Sequence, residues 1–246
     1  MDAHDHIGKV AIVTGAGRGI GRAVAIELAR QGFRLCLAAR SREQLEETRH
    51  LTALEPRDSL IVLLDLADPD GPEALIEAAM EHFARIDVLV NNGGWAPPRT
   101  PLVKTSSADQ DRMIAVNLRA PIALSRMGAA QMVRQGNGGA IVNVASTAAL
   151  TAPAGEAIYA ATKSGLIAFT RASFAELREH RIKFSVVIPG LVDSSLIPTN
   201  RRLDRSLMLS PGHVAAAIVQ IINSPPESCP LEIVLQPAQD PERIRR

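Results

Sequence analysis

The sequence contains a single tyrosine, Tyr159, four residues ahead of Lys163, and Ser146 lies thirteen residues upstream. Side chains four apart on a helix share a face, so the phenol and the ammonium can converge on one ligand. A phenol with an ordinary pKa near ~10 is a poor acid or base at neutral pH. An ammonium about 5 Å away, at an effective dielectric near ~20, would favour the phenolate by about 3 kcal/mol. The expectation is a phenol poised for proton transfer at physiological pH. Ser146 closes the apolar run AIVNVAS, and a hydroxyl at the C-terminal end of a strand can bond a carbonyl oxygen and steady the charge developing on it. Taken alone, such a pair is better explained by a core tyrosine and a solvated lysine. The company of the pair reverses that order.

That company begins with TGAGRGIGRAVAIELARQG, a glycine-rich turn that follows an apolar run and opens into an amphipathic helix. Thr14, Gly15, Gly19 and Gly21 satisfy T-G-x-x-x-G-x-G rather than G-x-G-x-x-G, because position 20 is Ile. Glycines let the backbone approach a diphosphate, and the free N–H groups of the helix start face its charge. A glycine turn that binds nothing has the same appearance, but placement after the first strand of a βαβ unit favours a dinucleotide. An acid some 20 residues on would hold a ribose 2′-OH and indicate NAD. Here the second strand ends in Ala39, followed by Arg40 and Ser41. A guanidinium at that corner attracts a 2′-phosphate, and Arg18 within the turn can approach the same group. NADP(H) is therefore expected ahead of NAD(H). Asp65, in LLDLAD, either accepts a bond from the adenine amino group or caps the turn that follows it.

These residues require a sheet to position them. Apolar runs recur at 9–15, 34–39, 60–64, 87–90, 140–145, 183–188 and 231–235, separated by stretches with helical spacing. Runs that are apolar throughout suit strands covered on both faces, and intervening helices suit parallel crossovers. The reading is an α/β fold with a seven-stranded parallel sheet, helices on both faces, and one domain over 1–246. Ser41 with Gln44 resembles a helix-capping box, Ser210 and Pro211 open another helix, and Gly32 ends the first. A helical stretch from about Ala108 to Arg134 contains Pro121, which predicts a kink or break near Ala120. The aperiodic stretches 91–106, 146–155 and 189–209 each follow a strand, at the edge where open parallel sheets bind ligands.

Composition narrows the partners. Apolar residues make up 46% of the 246, but Phe, Trp and Tyr only 3%, so the core is aliphatic. Lys and Arg number 27 against 26 Asp and Glu, which gives no long-range pull towards nucleic acid or an anionic membrane. No apolar run approaches a membrane span and the N-terminus has no secretory pattern, so the expectation is a cytoplasmic protein. Cys36 and Cys229 imply no disulfide framework. No metal site is expected, because His4 and His6 read as solvated residues of a polar tail.

In order and spacing, the glycine turn, NNGG at 91–94, Asn117, Ser146, Tyr159-x-x-x-Lys163 and Pro189-Gly190 resemble the short-chain dehydrogenase/reductases over residues 8 to about 195. The resemblance implies a doubly wound, Rossmann-type domain with strand order 3-2-1-4-5-6-7. It also implies hydride transfer without metal between a nicotinamide and a small-molecule ketone or secondary alcohol. Tyr159 would be the proton donor, Ser146 would position the carbonyl, and Lys163 would hold the nicotinamide ribose and bias Tyr159 towards ionisation. Asn117 would support a water-linked proton path, or else fill a helix kink with a side-chain bond. Asn91 would brace the central strands, and Pro189-Gly190 would face the nicotinamide. Ile20, Leu66, Gly93, Val192 and Ser194 complete the expected coenzyme contacts.

Three departures from the family pattern carry expectations of their own. Where the family usually has NNAG, Gly93 would loosen the loop. Ser194 stands where a threonine is common and keeps the hydroxyl. The C-terminus lacks the glycine-rich ending of family tetramers, although a homo-oligomer, dimer or tetramer, is still implied. Trp95 either walls off an apolar substrate or packs under its loop. Residues 191–209 match the family's substrate loop, where Arg201, Arg202 and Arg205 could recognise an acidic or acyl-carrier substrate or form a solvated face. A 3-oxoacyl-thioester reductase is the closest rival reading, and a non-catalytic dinucleotide sensor or scaffold is the rival from another class.

Overall fold

Along β1 (Val10–Thr14), Val10 and Ile12 enter one apolar cluster while Ala11 and Val13 enter another, as the two-residue period requires of a strand covered on both faces. The structure, a computed structural model, describes residues 6–194 and 203–241. Six further strands join β1 in one parallel sheet: β2 (Arg34–Ala39), β3 (Ser59–Leu63), β4 (Val88–Asn91), β5 (Gly139–Val144), β6 (Ile182–Pro189) and β7 (Glu232–Leu235). Their order is β3-β2-β1-β4-β5-β6-β7. The chain therefore reverses its winding direction between β1 and β4, which opens a crevice at the C-terminal edge of the sheet.

One core is formed with α1 (Gly19–Arg30), α2 (Arg42–Thr52) and α8 (Pro211–Asn223), through Val24, Leu28, Leu45 and Ile218. The other is formed chiefly with α3 (Gly71–Phe83) and α5 (Ala120–Gln135), through Leu75, Phe83, Leu124 and Met132, with Phe169 of α7 (Ala157–Leu177), which follows the single-turn α6 (Ala148–Thr151), packed against it. The edge strands are the exception to full burial, since Leu63 on β3 and Val234 on β7 are about half exposed.

Helix boundaries follow local chemistry. Ser41 Oγ accepts the Gln44 amide at 3.3 Å at the start of α2, and Ser210 with His213 forms a reciprocal capping box on α8. The break near Ala120 is a π-turn over Ala115–Arg119, between α4 (Ser107–Ile114) and α5. Pro121 has no N–H to offer the carbonyl four residues back, and the Ala120 amide instead bonds to the Ala115 carbonyl.

His6 corrects an expectation: it is buried, stacks on Phe33 with ring centroids 4.4 Å apart, and pairs with Asn223 at 2.9 Å. Its flat ring covers the phenyl face, so it is part of the core edge rather than a solvated tail. His4 lies outside the described residues. Both cysteines are free, and burial pushes the Cys36 thiol up to about 12, as an unreactive core residue requires.

Candidate active site

The C-terminal ends of β1 to β6 and the loops after them enclose one open cleft of about 1400 Å³. Its nucleotide end is the glycine turn. A Cβ on Gly21 would overlap the Gly15 carbonyl oxygen, so a side chain there would push the turn off the start of α1. Gly15 itself adopts φ +66°. Thr14 faces the neighbouring strand, where its Oγ1 accepts the amides of Asn92 at 3.1 Å and Gly93 at 3.0 Å. Asn92 reciprocates by donating to the Thr14 carbonyl at 3.0 Å. The turn after β1 and the loop after β4 are thereby tied together, and Gly15, Gly17, Arg18 and Gly19 line the cleft at the start of α1, where a diphosphate is favoured. This cradle, closed to any side chain at position 21, fits a dinucleotide.

Arg18 and Arg40 are both exposed on the cleft wall with Ser41 between α2 and the turn. Asp65 caps the turn after β3 by accepting the Ala67 amide at 3.0 Å, and also pairs with Arg112 at 3.1 Å. Burial acts to raise its carboxyl, but the Ala67 amide, Arg112 and Arg40 together outweigh it and hold the group below the usual carboxylate range. Asp65 therefore caps the turn and still lines the cleft. Ile20, Leu66, Pro189, Gly190, Val192 and Ser194 also lie on that wall. The glycine position nearest Ser194 is Gly19, whose Cβ would stand 3.6 Å from the Ser194 Cβ. Arg205 bonds Asp193 at 2.7 Å and the Ser194 carbonyl at 3.0 Å. It therefore braces its own loop, a task that neither substrate recognition nor a solvated face suggests, while Arg201 and Arg202 lie outside the described residues.

Two expected contacts do not reach the cleft wall. Asn91 is buried and donates to Asn143 at 2.9 Å and Ser125 at 2.9 Å, bracing β4 against β5 and α5. Gly21 supports the turn from beneath. Gly93 does not loosen its loop, because its amide is held by Thr14 and the space beside its Cα is filled by Leu66. Asn92, one place along from Asn91, is the residue the sequence reading passed over. The doubled asparagine in NNGG signals two different tasks.

At the other end of the cleft, Ser146, Tyr159 and Lys163 converge. Lys163 is buried, donates to the Val144 carbonyl at 2.9 Å and lies 5.8 Å from the Tyr159 ring centroid. Burial pushes its ammonium down to about 8. The phenol moves opposite to expectation: burial pushes Tyr159 up to about 12, a hydrogen bond with Ser146 works against that, and the Glu156 carboxylate adds to it. Desolvation disfavours both charged forms at once and exceeds the attraction assumed for a solvated pair.

Asn117 sits fully buried in the π-turn and clamps the backbone of Trp95, accepting its amide at 2.9 Å and donating to its carbonyl at 2.6 Å. It thus positions the loop that carries Trp95. Trp95 lines the cleft, and its ring centroid lies 5.4 Å from the Arg112 guanidinium. Among the described residues no cluster of His, Cys, Asp or Glu is arranged to hold a metal, and no helix is long and apolar enough to cross a membrane.

The family model for short chain dehydrogenases matches residues 9–204. D-erythrulose reductase of Gallus gallus is 39% identical over 186 residues, which is 75% of this chain and 72% of that protein. The 3-oxoacyl-(acyl-carrier-protein) reductase FabG of Staphylococcus aureus is 34% identical over 189 residues, 76% of each chain. The crystal structure of a metagenomic short-chain oxidoreductase in complex with NADP superimposes with a TM-score of 0.82 at 31% identity, covering 95% of this chain and 99% of the other. The seven-stranded sheet, the glycine turn and the match over residues 9–204 agree: the chain belongs to the short chain dehydrogenase family of oxidoreductases.

Proposed function

We propose that the protein is an NADP(H)-linked oxidoreductase that interconverts a ketone and a secondary alcohol. The observation that carries this reading is the convergence of Ser146, Tyr159 and Lys163 at one end of a cleft whose other end holds the glycine turn and two exposed arginines. When bound, reduced coenzyme supplies a hydride for the carbonyl carbon. Tyr159 delivers the proton to the carbonyl oxygen, and Ser146 orients that oxygen by hydrogen bonding. A phenol held neutral by burial suits the acid role in reduction. The phenolate left behind faces Lys163, whose ammonium near pH 8 is in equilibrium with the amine and can help return the proton. Thr14, Gly15, Gly19 and Gly21 would shape the diphosphate cradle, Arg18, Arg40 and Ser41 the 2′-phosphate corner, and Asp65 the adenine side. Pro189, Gly190 and Ser194 would face the nicotinamide, and residues 191–209 would cover the substrate.

A screen of ketones and secondary alcohols with both coenzymes, followed at the nicotinamide absorbance band, tests the reading. Turnover with NADPH that Tyr159→Phe abolishes is expected, and tight coenzyme binding with no turnover across the panel would favour a sensor instead. Likeness to the FabG reductase supports a second reading as a 3-oxoacyl-thioester reductase. Turnover of a 3-oxoacyl thioester in preference to its small ketone analogue would select it. A cytoplasmic homo-oligomer, dimer or tetramer, belongs to the same proposal, and sedimentation measures the assembly.

A further inference from the structure

The glycine turn is bonded along its back to α2 by side chains that no coenzyme would touch. Arg22, on the first turn of α1, directs its guanidinium away from the cleft. Its Nε and Nη2 donate to the Gly17 carbonyl at 3.1 Å and 2.5 Å. The same Nε donates to Thr48 Oγ1 at 3.1 Å, and Nη2 to Glu47 Oε2 at 2.6 Å. Thr48 is fully buried, and its hydroxyl lies 2.9 Å from the Ala16 carbonyl oxygen and 3.0 Å from that of Gln44. A Cβ on Gly17 would stand 2.9 Å from the Gln44 Cβ. The turn therefore presses directly on the first turn of α2. The Arg22 amide also bonds back to the Arg18 carbonyl at 3.2 Å.

Arg18 is thus gripped through its backbone on both sides. The peptide before it is fixed by the Arg22 side chain and the peptide after it by the Arg22 amide. Across the gap, Arg40 and Ser41 lead into α2, the helix carrying Thr48, Gln44 and Glu47. The guanidinium of Arg18 has no hydrogen-bond or ion-pair partner among the described residues, so these anchors on its backbone are what fix the point from which it reaches towards the cleft.

We propose that Arg22 and Thr48 are positioning residues that set the coenzyme preference, by holding Arg18 opposite Arg40 and Ser41 at the distance a ribose 2′-phosphate requires. This rests on the NADP(H) reading above. A dianion held between two guanidinium groups is sensitive to their separation, because each charge-assisted bond weakens steeply once its geometry is lost. A ribose 2′-OH has no such requirement. Loosening the clasp should therefore weaken NADPH and spare NADH, whereas general damage to the turn would weaken both, since both carry the same diphosphate.

The test is fluorescence titration of NADPH and NADH against the wild type, Thr48→Val, Thr48→Ser and Arg22→Met, with folding checked by thermal unfolding. In Thr48→Val and Arg22→Met the ratio of Kd for NADH to Kd for NADPH should fall about tenfold, equivalent to about 1.4 kcal/mol. Thr48→Ser, which keeps the hydroxyl, should hold the wild-type ratio. If Arg22→Met fails to fold, the two Thr48 variants decide, because only Thr48→Ser keeps the buried hydroxyl. A folded Thr48→Val protein with the wild-type ratio overturns the clasp while leaving the coenzyme reading intact. A wild type that binds NADH as tightly as NADPH overturns the coenzyme reading and the clasp with it.

Discussion

The two ends of the cleft are built on opposite principles. At the nucleotide end, the groups that shape the turn are satisfied by other protein groups, the Arg18 guanidinium excepted: Thr14 with Asn92 and Gly93, Arg22 with Gly17 and Thr48, Asp65 with Ala67 and Arg112. At the catalytic end, a lysine with one carbonyl partner and a phenol are both desolvated. The first end resembles a rigid mould with its hydrogen bonds already made, which limits the ordering required on binding. The second shifts two ionisable groups away from their ordinary pKa values, and such perturbation is characteristic of groups that exchange protons in a reaction. Binding and chemistry are thus separable by substitution.

Tyr159→Phe should break that separation most severely if it is wrong. Loss of a general acid reduces kcat by about 10²–10⁴-fold, while the Kd for NADPH should stay within a few-fold. Stopped-flow turnover and coenzyme titration measure the two sides, and a matching loss in both would merge the ends into one unit.

Next in size is the effect of pH on stability. The Lys163 ammonium lies near 8 in the folded chain against an ordinary value of 10.5. Between those values the unfolded chain binds more protons, so stability rises with pH through that window and the charging penalty is fully present below 8. The gain should approach ~3 kcal/mol. Tyr159 acts in the opposite sense: its folded value near 12 exceeds the ordinary 10, so stability falls as pH climbs from 10 to 12. Denaturant unfolding of wild type, Lys163→Met and Tyr159→Phe across pH 7 to 12 should show the rise disappear in the first variant and the fall in the second. A flat difference between wild type and Lys163→Met would mean that the lysine is as well solvated as a surface residue.

The same contrast explains what could be read from sequence. The strand order comes from the family resemblance that the motifs carry, whereas the strands, the glycine turn and the convergence of Ser146 with Tyr159 and Lys163 depend on periodicity and spacing, which are local. The direction of the Tyr159 shift does not, because it depends on how much water the folded loops exclude from both partners. Asn117 shows a related limit, since its bonds to Trp95 join segments 22 residues apart through a π-turn that only Pro121 hinted at. His6 was misread for the opposite reason: a short polar stretch gives no sign that Phe33 and Asn223 await it.

Arg40→Asp sharpens the account of the nucleotide end. Replacing the exposed guanidinium with a carboxylate repels a 2′-phosphate and offers an acceptor to a ribose 2′-OH. The kcat/KM ratio for NADPH over NADH should fall about 10–100-fold, and kcat for the reductive step should change little if the ends are separable. A variant that still strongly favours NADPH would remove Arg40 from the phosphate contact.

The smallest expected effect tests the rigidity of the mould itself. At position 93 the family pattern often has alanine, yet here a Cβ would run into the Leu66 side chain, and the Gly93 amide is fixed by Thr14 at 3.0 Å. The loop cannot retreat without giving up that bond, so Leu66 must turn instead, and overpacking of this kind costs about 1 kcal/mol. Gly93→Ala should therefore lower the thermal midpoint slightly. Pairing it with Leu66→Ala should recover part of the loss, because the two sites share one space and are not additive. A Gly93→Ala protein as stable as wild type, with unchanged coenzyme Kd, would show that Leu66 moves freely and that this part of the nucleotide end is softer than its hydrogen bonds suggest.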